Sequence, residues 1–408
     1  MIVYKLGGSV HRRRNSAGFT LFEGDCLMAQ RIATGVERKL SRREWLERAT
    51  AGLAGTAFLG VPRSAKAEDL GEYRETIQRG LEWVARNQSP QGHWEATGGN
   101  YPMAMTGLCG LALALEGSTL RDGKYADKLR KAVNWFVDRA QPNGLLAKPS
   151  NPMEAQRYIY GHGYGLLFLS QVYGEEEDLD RRKKLEQILV KGVEFACKAV
   201  TPSGGWGYLS SADGNGFDEG STTVTQLQAL RACRNAGIPV PKSIIDNAQK
   251  YLKECTGQDG GIFYRKGQGG PGSPALTAAG LAGGFSIGEY NSPEVKRWLE
   301  FCRKRIPLNT GNDRFGHDEY THYYYAQALY TLGEDGYDRV FPNAPESERL
   351  TWKKYRAARF PAIAKSQKRD GSWDPAGSWG GHVGTVYCTA VNLTILQLDH
   401  GTLPFYQR

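Results

Sequence analysis

From about residue 73 onward the chain alternates between two kinds of apolar pattern. The stretch "SIIDNAQKYLKEC", residues 243–255, places Ile244, Ile245, Ala248, Tyr251 and Leu252 on one stripe at helical period, with charged residues opposite. The next stretch, "SPALTAAGLAGGFSIGE", is apolar nearly all round and rich in small residues. The first pattern predicts a helix with a solvent face, the second a helix without one. The alternation recurs six times. It predicts amphipathic helices near 73–87, 125–140, 180–199, 242–255, 293–305 and 347–367, and buried ones near 102–116, 155–173, 219–236, 273–287, 318–332 and 384–398. Several buried helices begin beside Ser, Thr or Asp, which cap free N–H groups, and several end at Gly, as in "LRACRNAG", "ALYTLG" and "LSQVYG".

The junctions repeat as well. In "NQSPQGHWEA", "VTPSGGWGYL", "CTGQDGGIFYR" and "SQKRDGSWDP" an aromatic follows Gly92, Gly204, Gly261 and Gly371 by two residues. Glycine supplies the left-handed backbone of a tight turn, whereas Trp94, Trp206 and Trp373 carry more apolar area than a surface turn exposes. The anchors lie 112, 57 and 110 residues apart, so each long gap holds about two periods of roughly 55 residues. "QPNGLLA" at Gly144 fills the first gap and "TGNDRFGH" around Phe315 the second. Six amphipathic and six buried helices in alternation predict an all-α fold, an α/α toroid of six hairpins with inner and outer rings. An open solenoid of the same hairpins is the alternative that spacing leaves standing.

These residues carry a family resemblance over roughly 75–400. "QKRDGSWDP" resembles the QW repeat of squalene–hopene cyclases. "GGWGYLSSADGNGFDEGSTTVTQLQALRA", with its Thr-x-x-x-Leu-x-Ala-Leu, is similar to the prenyltransferase and squalene-oxidase repeat. The resemblance implies the α/α toroid and turn tryptophans that clamp neighbouring hairpins. It leaves the activity open, because the family's reactive motifs are missing or incomplete. Glu219, Gly220, Ser221 and Thr222 stand where a class II cyclase has its Asp-rich acid motif, and Ser221 cannot supply the proton. A prenyltransferase zinc site needs an Asp-x-Cys at one inner helix and a His at the next; His322 lies near the His position, but the preceding helix opens "GSPALTAAG". No Cys-x-Glu-Gln of the thioester toroids occurs.

Charge removes one class of partner. The formal net charge is +9 over 408 residues, yet residues 1–67 hold 12 Lys or Arg against 5 Asp or Glu, which leaves +2 for the remainder. No nucleic-acid partner is therefore expected of the folded part. The basic segment predicts export instead. "SRREWLERATAGLAGTAFLGVPRSAKAE" has Arg42 and Arg43, a weakly apolar run from Ala49 to Val61 and Ala65-Lys66-Ala67, the layout of a twin-arginine-type signal peptide. The expected organisation is a leader at 1–67 and a toroid domain at 68–408, exported to the periplasm or cell envelope. Translation from Met28 would give a leader of ordinary length. After the leader no apolar run approaches 18 residues, so no transmembrane span is expected in the mature chain. Cys109, Cys197, Cys233, Cys255, Cys302 and Cys388 mostly sit in helical patterns without a CxxC pair and read as buried small hydrophobes.

Candidate chemistry sits where the buried helices begin, since converging helix N-termini line the expected mouth of the ring. Asp318, His322, Tyr320, Asp218 and Glu219 are the candidate catalytic residues; Tyr160, His162, Tyr164, Tyr324, His382 and Tyr387 are the candidate ligand-binding residues. Asp318 and His322, four apart on one helix face, could hold zinc together with His382; otherwise no cofactor is expected. The reading that follows is an exported toroid binding an isoprenoid or glycan in its central cavity. The alternative is an envelope enzyme, a cyclase or transferase acting on isoprenoid lipid or a lyase or hydrolase acting on polysaccharide. It would use Asp318, His322 and the neighbouring tyrosines, since such chemistry employs paired carboxylates or a Tyr/His base.

Overall fold

The structure is a computed structural model that describes residues 71–214, 216–308 and 317–407. The expected leader at 1–67 and the expected turn around Phe315 lie outside the described residues. Six outer helices, α1 (Arg74–Arg86), α3 (Ala126–Val137), α5 (Leu179–Ala199), α7 (Lys242–Glu254), α9 (Pro293–Arg305) and α11 (Trp352–Ser366), alternate with six inner ones. The inner helices are α2 (Pro102–Leu115), α4 (Tyr158–Val172), α6 (Gly220–Asn235), α8 (Pro274–Ser286), α10 (Asp318–Leu332) and α12 (Thr385–Gln397). All twelve match predicted elements, and each kind follows from its pattern. Every residue of α2 is buried, whereas α1 buries only Ile77, Gly80, Leu81, Val84 and Ala85.

Closure is direct. Each inner helix packs on the next, and α12 packs on α2. At that seam Gln397 Nε2 donates to Ala112 O at 3.1 Å and Thr402 Oγ1 to Leu115 O at 2.7 Å. The fold is therefore an all-α α/α toroid, and the open solenoid is excluded.

The opening turns explain how hairpins join. Trp94, Trp206 and Trp373 are fully buried, and each indole N–H donates to a carbonyl ten residues earlier, Val84, Ala196 and Ile363, at 2.7, 2.8 and 2.8 Å. Each ring is thus fixed to its own outer helix. The reach to the neighbour comes from the rest of the motif. Gln88 Nε2 bonds Lys128 O on α3 at 2.9 Å, and Gln367 Nε2 bonds Thr76 O on α1 at 2.8 Å, so the last turn grips the first helix. Gly371 has φ 97°, and any Cβ there would collide with the Arg79 carbonyl of α1. The Trp373 ring also reaches across, against Gly80. One register shifts from the expected one: the left-handed glycine of the fourth unit is Gly260, φ 85°, so buried Ile262, not Phe263, occupies the tryptophan position.

Candidate functional site

One polar position recurs just inside the turns. Thr106, Thr223, Thr277 and Thr389, on α2, α6, α8 and α12, accept through Oγ1 the backbone N–H of Trp94, Trp206, Ile262 and Trp373 at 2.8–3.1 Å. On α4 the acceptor is His162. Its Nδ1 accepts the Leu146 N–H at 3.2 Å and its Nε2 donates to Gly192 O at 3.0 Å. Burial pushes the His162 pKa down to about 4, which keeps the ring neutral, the form those two bonds require. His162 was expected at the mouth; it is instead the α4 version of a turn-holding threonine.

His322 occupies the same point of α10, four residues after the helix start. The Nδ1 atom is 3.1 Å from the Tyr355 hydroxyl of α11, and Nε2 is 3.7 Å from Asp318 Oδ1. The other Asp318 oxygen accepts from the Arg359 guanidinium, also of α11. Burial first, and the Arg359 charge second, hold His322 well below its usual pKa. The predicted pair does meet, but between the inner and outer rings. Arg359 already supplies the positive charge that a metal would bring, so this donor set does not fit zinc. His382 is exposed on a short helix, Ser378–Val383. Among the described residues no group of three or more His, Cys, Asp or Glu is arranged to hold a metal.

The two remaining carboxylates part company. Asp218 ties down a turn, accepting from Thr201 at 2.8 Å, from Ser203, and from Tyr251 of α7 at 2.8 Å. Glu219 caps α6: Oε1 accepts the Thr222 N–H at 2.6 Å, and Oε2 accepts the Ser221 N–H and hydroxyl, each at 2.7 Å. Ser221 in turn bonds the Tyr160 hydroxyl. Burial outweighs these bonds and raises the Glu219 pKa.

The candidate tyrosines meet near the ring axis. Tyr324 OH lies 3.3 Å from both Tyr164 OH and Thr225 Oγ1, so side chains from α10, α4 and α6 cross the centre. The Tyr320 and Tyr323 rings sit 4.9 Å from the Tyr324 ring. Burial drives the hydroxyl pKa values of Tyr160, Tyr164, Tyr320 and Tyr387 well above the usual range, so all four are neutral hydroxyls. The inner-helix starts are thus closed over by phenols, with Tyr164, Tyr323 and Tyr324 buried.

The surrounding rim contains residues that the sequence did not single out. Tyr160 is followed by Tyr208, Phe217 and Tyr264 at centroid spacings of 5.9, 5.9 and 6.1 Å, all four half-buried. Backbone bonds from Ile159 N to Tyr208 O at 3.2 Å and from Gly220 N to Tyr264 O at 2.8 Å strap these loops onto the starts of α4 and α6. The Arg157 guanidinium covers Tyr208 at 4.7 Å and that of Arg265 covers Phe217 at 5.9 Å. Nearby Tyr101 has φ 51° and ψ 45°, the one non-glycine with positive φ among the described residues. Such strain persists only where surrounding structure enforces it. Tyr208, Phe217 and Tyr264 lie in the long loops after the Gly-x-Trp and Gly-x-Ile turns.

A closed ring of twelve alternating helices, with aromatic side chains gathered at the inner N-termini, defines an α/α-toroid protein. No family model matches the chain. Human lanosterol synthase is 31% identical over 88 residues, which is 22% of this chain and 12% of that protein, so the chain spans only a small part of that relative. Among solved structures, the fold is shared with α-1,6-mannanase GH76A of Salegentibacter sp. HEL1_6, an inactive variant in complex with α-1,6-mannotetrose. That structure is 8% identical with TM-score 0.57, covering 81% of this chain and 99% of the other. A variant of the type II terpene cyclase MstE from Scytonema, in complex with geranylgeranyl dihydroxybenzoate, is 16% identical with TM-score 0.50, covering 82% and 99%. At these identities the likeness establishes the toroid fold, which isoprenoid cyclases and polysaccharide hydrolases share.

Proposed function

We propose that this toroid is an exported binding protein and that a glycan chain lies across its aromatic mouth. The observation that carries the reading is the half-buried ladder Tyr160–Tyr208–Phe217–Tyr264 with two arginines over it. Flat rings offer apolar faces to the C–H faces of sugars, while phenol and guanidinium groups meet hydroxyls. An isoprenoid chain fits less well, because Tyr164, Tyr324 and Thr225 cross the axis where a long hydrocarbon would have to enter. Export, proposed from Arg42, Arg43 and the Ala65-Lys66-Ala67 end, would bring the chain to a compartment where polysaccharide is found.

A second reading has one observation in its favour. Glu219, its pKa raised by burial, connects through Ser221 to the Tyr160 hydroxyl at the mouth. That line of groups could hold or pass a proton at a sugar, with Tyr160 touching substrate. Electrophoresis through gels containing mannan, xylan or polygalacturonate tests the binding reading, and assays for new reducing ends and for unsaturated products on the same polymers test the enzyme reading. Retardation in at least one gel without product supports binding. Product formation abolished by Tyr160→Phe would replace binding with catalysis. Free migration in all three gels would remove the glycan proposal.

A further inference from the structure

The opposite end of the ring carries a concavity that the mouth reading does not use. It has a volume of about 290 Å³ and lies where the C-terminal turns of α6, α8 and α10 meet the tail Pro404–Gln407. The tail is fastened as a strap: the Phe405 N–H donates to Gln171 Oε1 at 3.0 Å, and the Tyr406 hydroxyl lies 3.2 Å from that of Tyr323. A larger groove of about 840 Å³ lies outside the ring, between α5 and Gly237–Pro241, and nothing there indicates an occupant.

The chemistry of the strapped pocket is one-sided. Its fourteen lining residues include a single charged group, Arg231, and neither Asp nor Glu. Arg231 is half-buried on α6 and has no hydrogen-bond or ion-pair partner among the described residues. The guanidinium presents its N–H donors in a fixed fork that matches a carboxylate or phosphate bidentately. Beside it the Phe285 and Tyr290 rings stack at 5.7 Å and 29° and form an apolar wall that is half exposed at Tyr290. The amide pair Gln228 and Gln327, 3.1 Å apart, makes the polar floor.

We infer that this pocket is a binding site for a small organic anion, with a carboxylate or phosphate on Arg231 and an aromatic or aliphatic body against Phe285 and Tyr290. The size suits such a ligand, since small-molecule sites begin at about 300 Å³. The competing account makes Arg231 a counter-charge for the carbonyl ends of the inner helices, which favour cations at this end. The two accounts separate on substitution. A lysine keeps the counter-charge and loses the bidentate fork.

Calorimetric titration of the full chain with benzoate and with phenyl phosphate, using benzamide as the neutral control, tests the site. The inference expects saturable binding of at least one anion and none of benzamide. Affinity should fall at least tenfold in Arg231→Gln and severalfold in Arg231→Lys, and remain unchanged in Tyr160→Phe, which alters only the mouth. Preference between the two anions tells carboxylate from phosphate. If Arg231→Gln fails to fold, Tyr290→Ala, at a half-exposed wall residue, should weaken binding severalfold. Absence of saturable binding by both anions, or affinity indifferent to Arg231→Gln and Tyr290→Ala, overturns the inference.

Discussion

The layer of residues behind the turns and the aromatic ladder at the mouth use similar side chains for different ends. Behind the turns, His162 does what Thr106, Thr223, Thr277 and Thr389 do on other inner helices: it receives one backbone N–H. At the mouth, the ladder from Tyr160 to Tyr264 spans only the starts of α4 and α6 and the loop entering α8. Tyr208 and Tyr264 stand two residues after their turn residues, where the other described turns have Ala96, Lys148 and Pro375. In a repeat protein, chemistry that recurs with the period serves the ring, and chemistry that breaks the period marks where the molecule differs from a plain scaffold. By that criterion we read the histidines as scaffold, and the aromatics that occupy this position at only two of the described turns, with their arginines, as the candidate for function.

The largest effect expected from breaking the scaffold side is at Trp373. Truncation to Ala should cost about 3–5 kcal/mol, as for other buried aromatics, because the ring is buried between Ile363, to which it donates, and Gly80 across the seam. Chemical denaturation should show this loss, while the folded fraction keeps the wild-type retardation in polysaccharide gels. Lost binding without lost stability would mean that the turn tryptophans serve the mouth.

A smaller effect sharpens the border between the two regions. Glu154, fully buried, accepts the Met103 N–H at 3.0 Å and the Lys148 N–H at 2.5 Å, and so ties a mouth segment to α2. Burial raises its pKa from 4.5 to about 7. A carboxyl whose folded pKa is raised is more protonated in the folded state, so its contribution is fully present below the unfolded value and is lost as pH rises through 7. The full swing is about 3 kcal/mol. His162 acts with the opposite sign, since its lowered pKa makes stability fall as pH drops from 6.5 toward 4. Unfolding free energies measured from pH 4.5 to 8 should therefore decline less steeply toward high pH in Glu154→Gln than in the wild type. Equal slopes would show that folding does not raise the Glu154 pKa.

Much of the scaffold was legible before the structure. Apolar periodicity separated outer from inner helices, and the Gly-x-Trp turns revealed the period, because both signals are local. Closure was not local, since it depends on Gln367 meeting Thr76 and Gln397 meeting Ala112 across the whole chain. The site was legible only in part. Position at an inner-helix start pointed to Tyr160, Tyr164, Tyr320, Tyr324 and Glu219, which lie near one another, but could not say which way His162, His322 and Asp318 face. Comparing those histidines with the threonines at the same register would have shown it. The rim residues Tyr208, Phe217 and Tyr264 escaped because they lie in loops, where no periodicity reports orientation.

The central claim is that the aromatic ladder at the mouth binds and the layer behind the turns does not. It is tested most directly by measuring, on whichever polysaccharide retards the wild type, the affinities of Tyr208→Ala and His162→Ala alongside their unfolding free energies. The account predicts at least a tenfold loss of affinity in Tyr208→Ala with stability changed by less than about 1 kcal/mol, as for substitutions outside the core. For His162→Ala it predicts unchanged affinity of the folded fraction and a stability loss of about 1–3 kcal/mol from the unsatisfied Leu146 N–H. The reverse pattern, with binding lost in His162→Ala and kept in Tyr208→Ala, would contradict it.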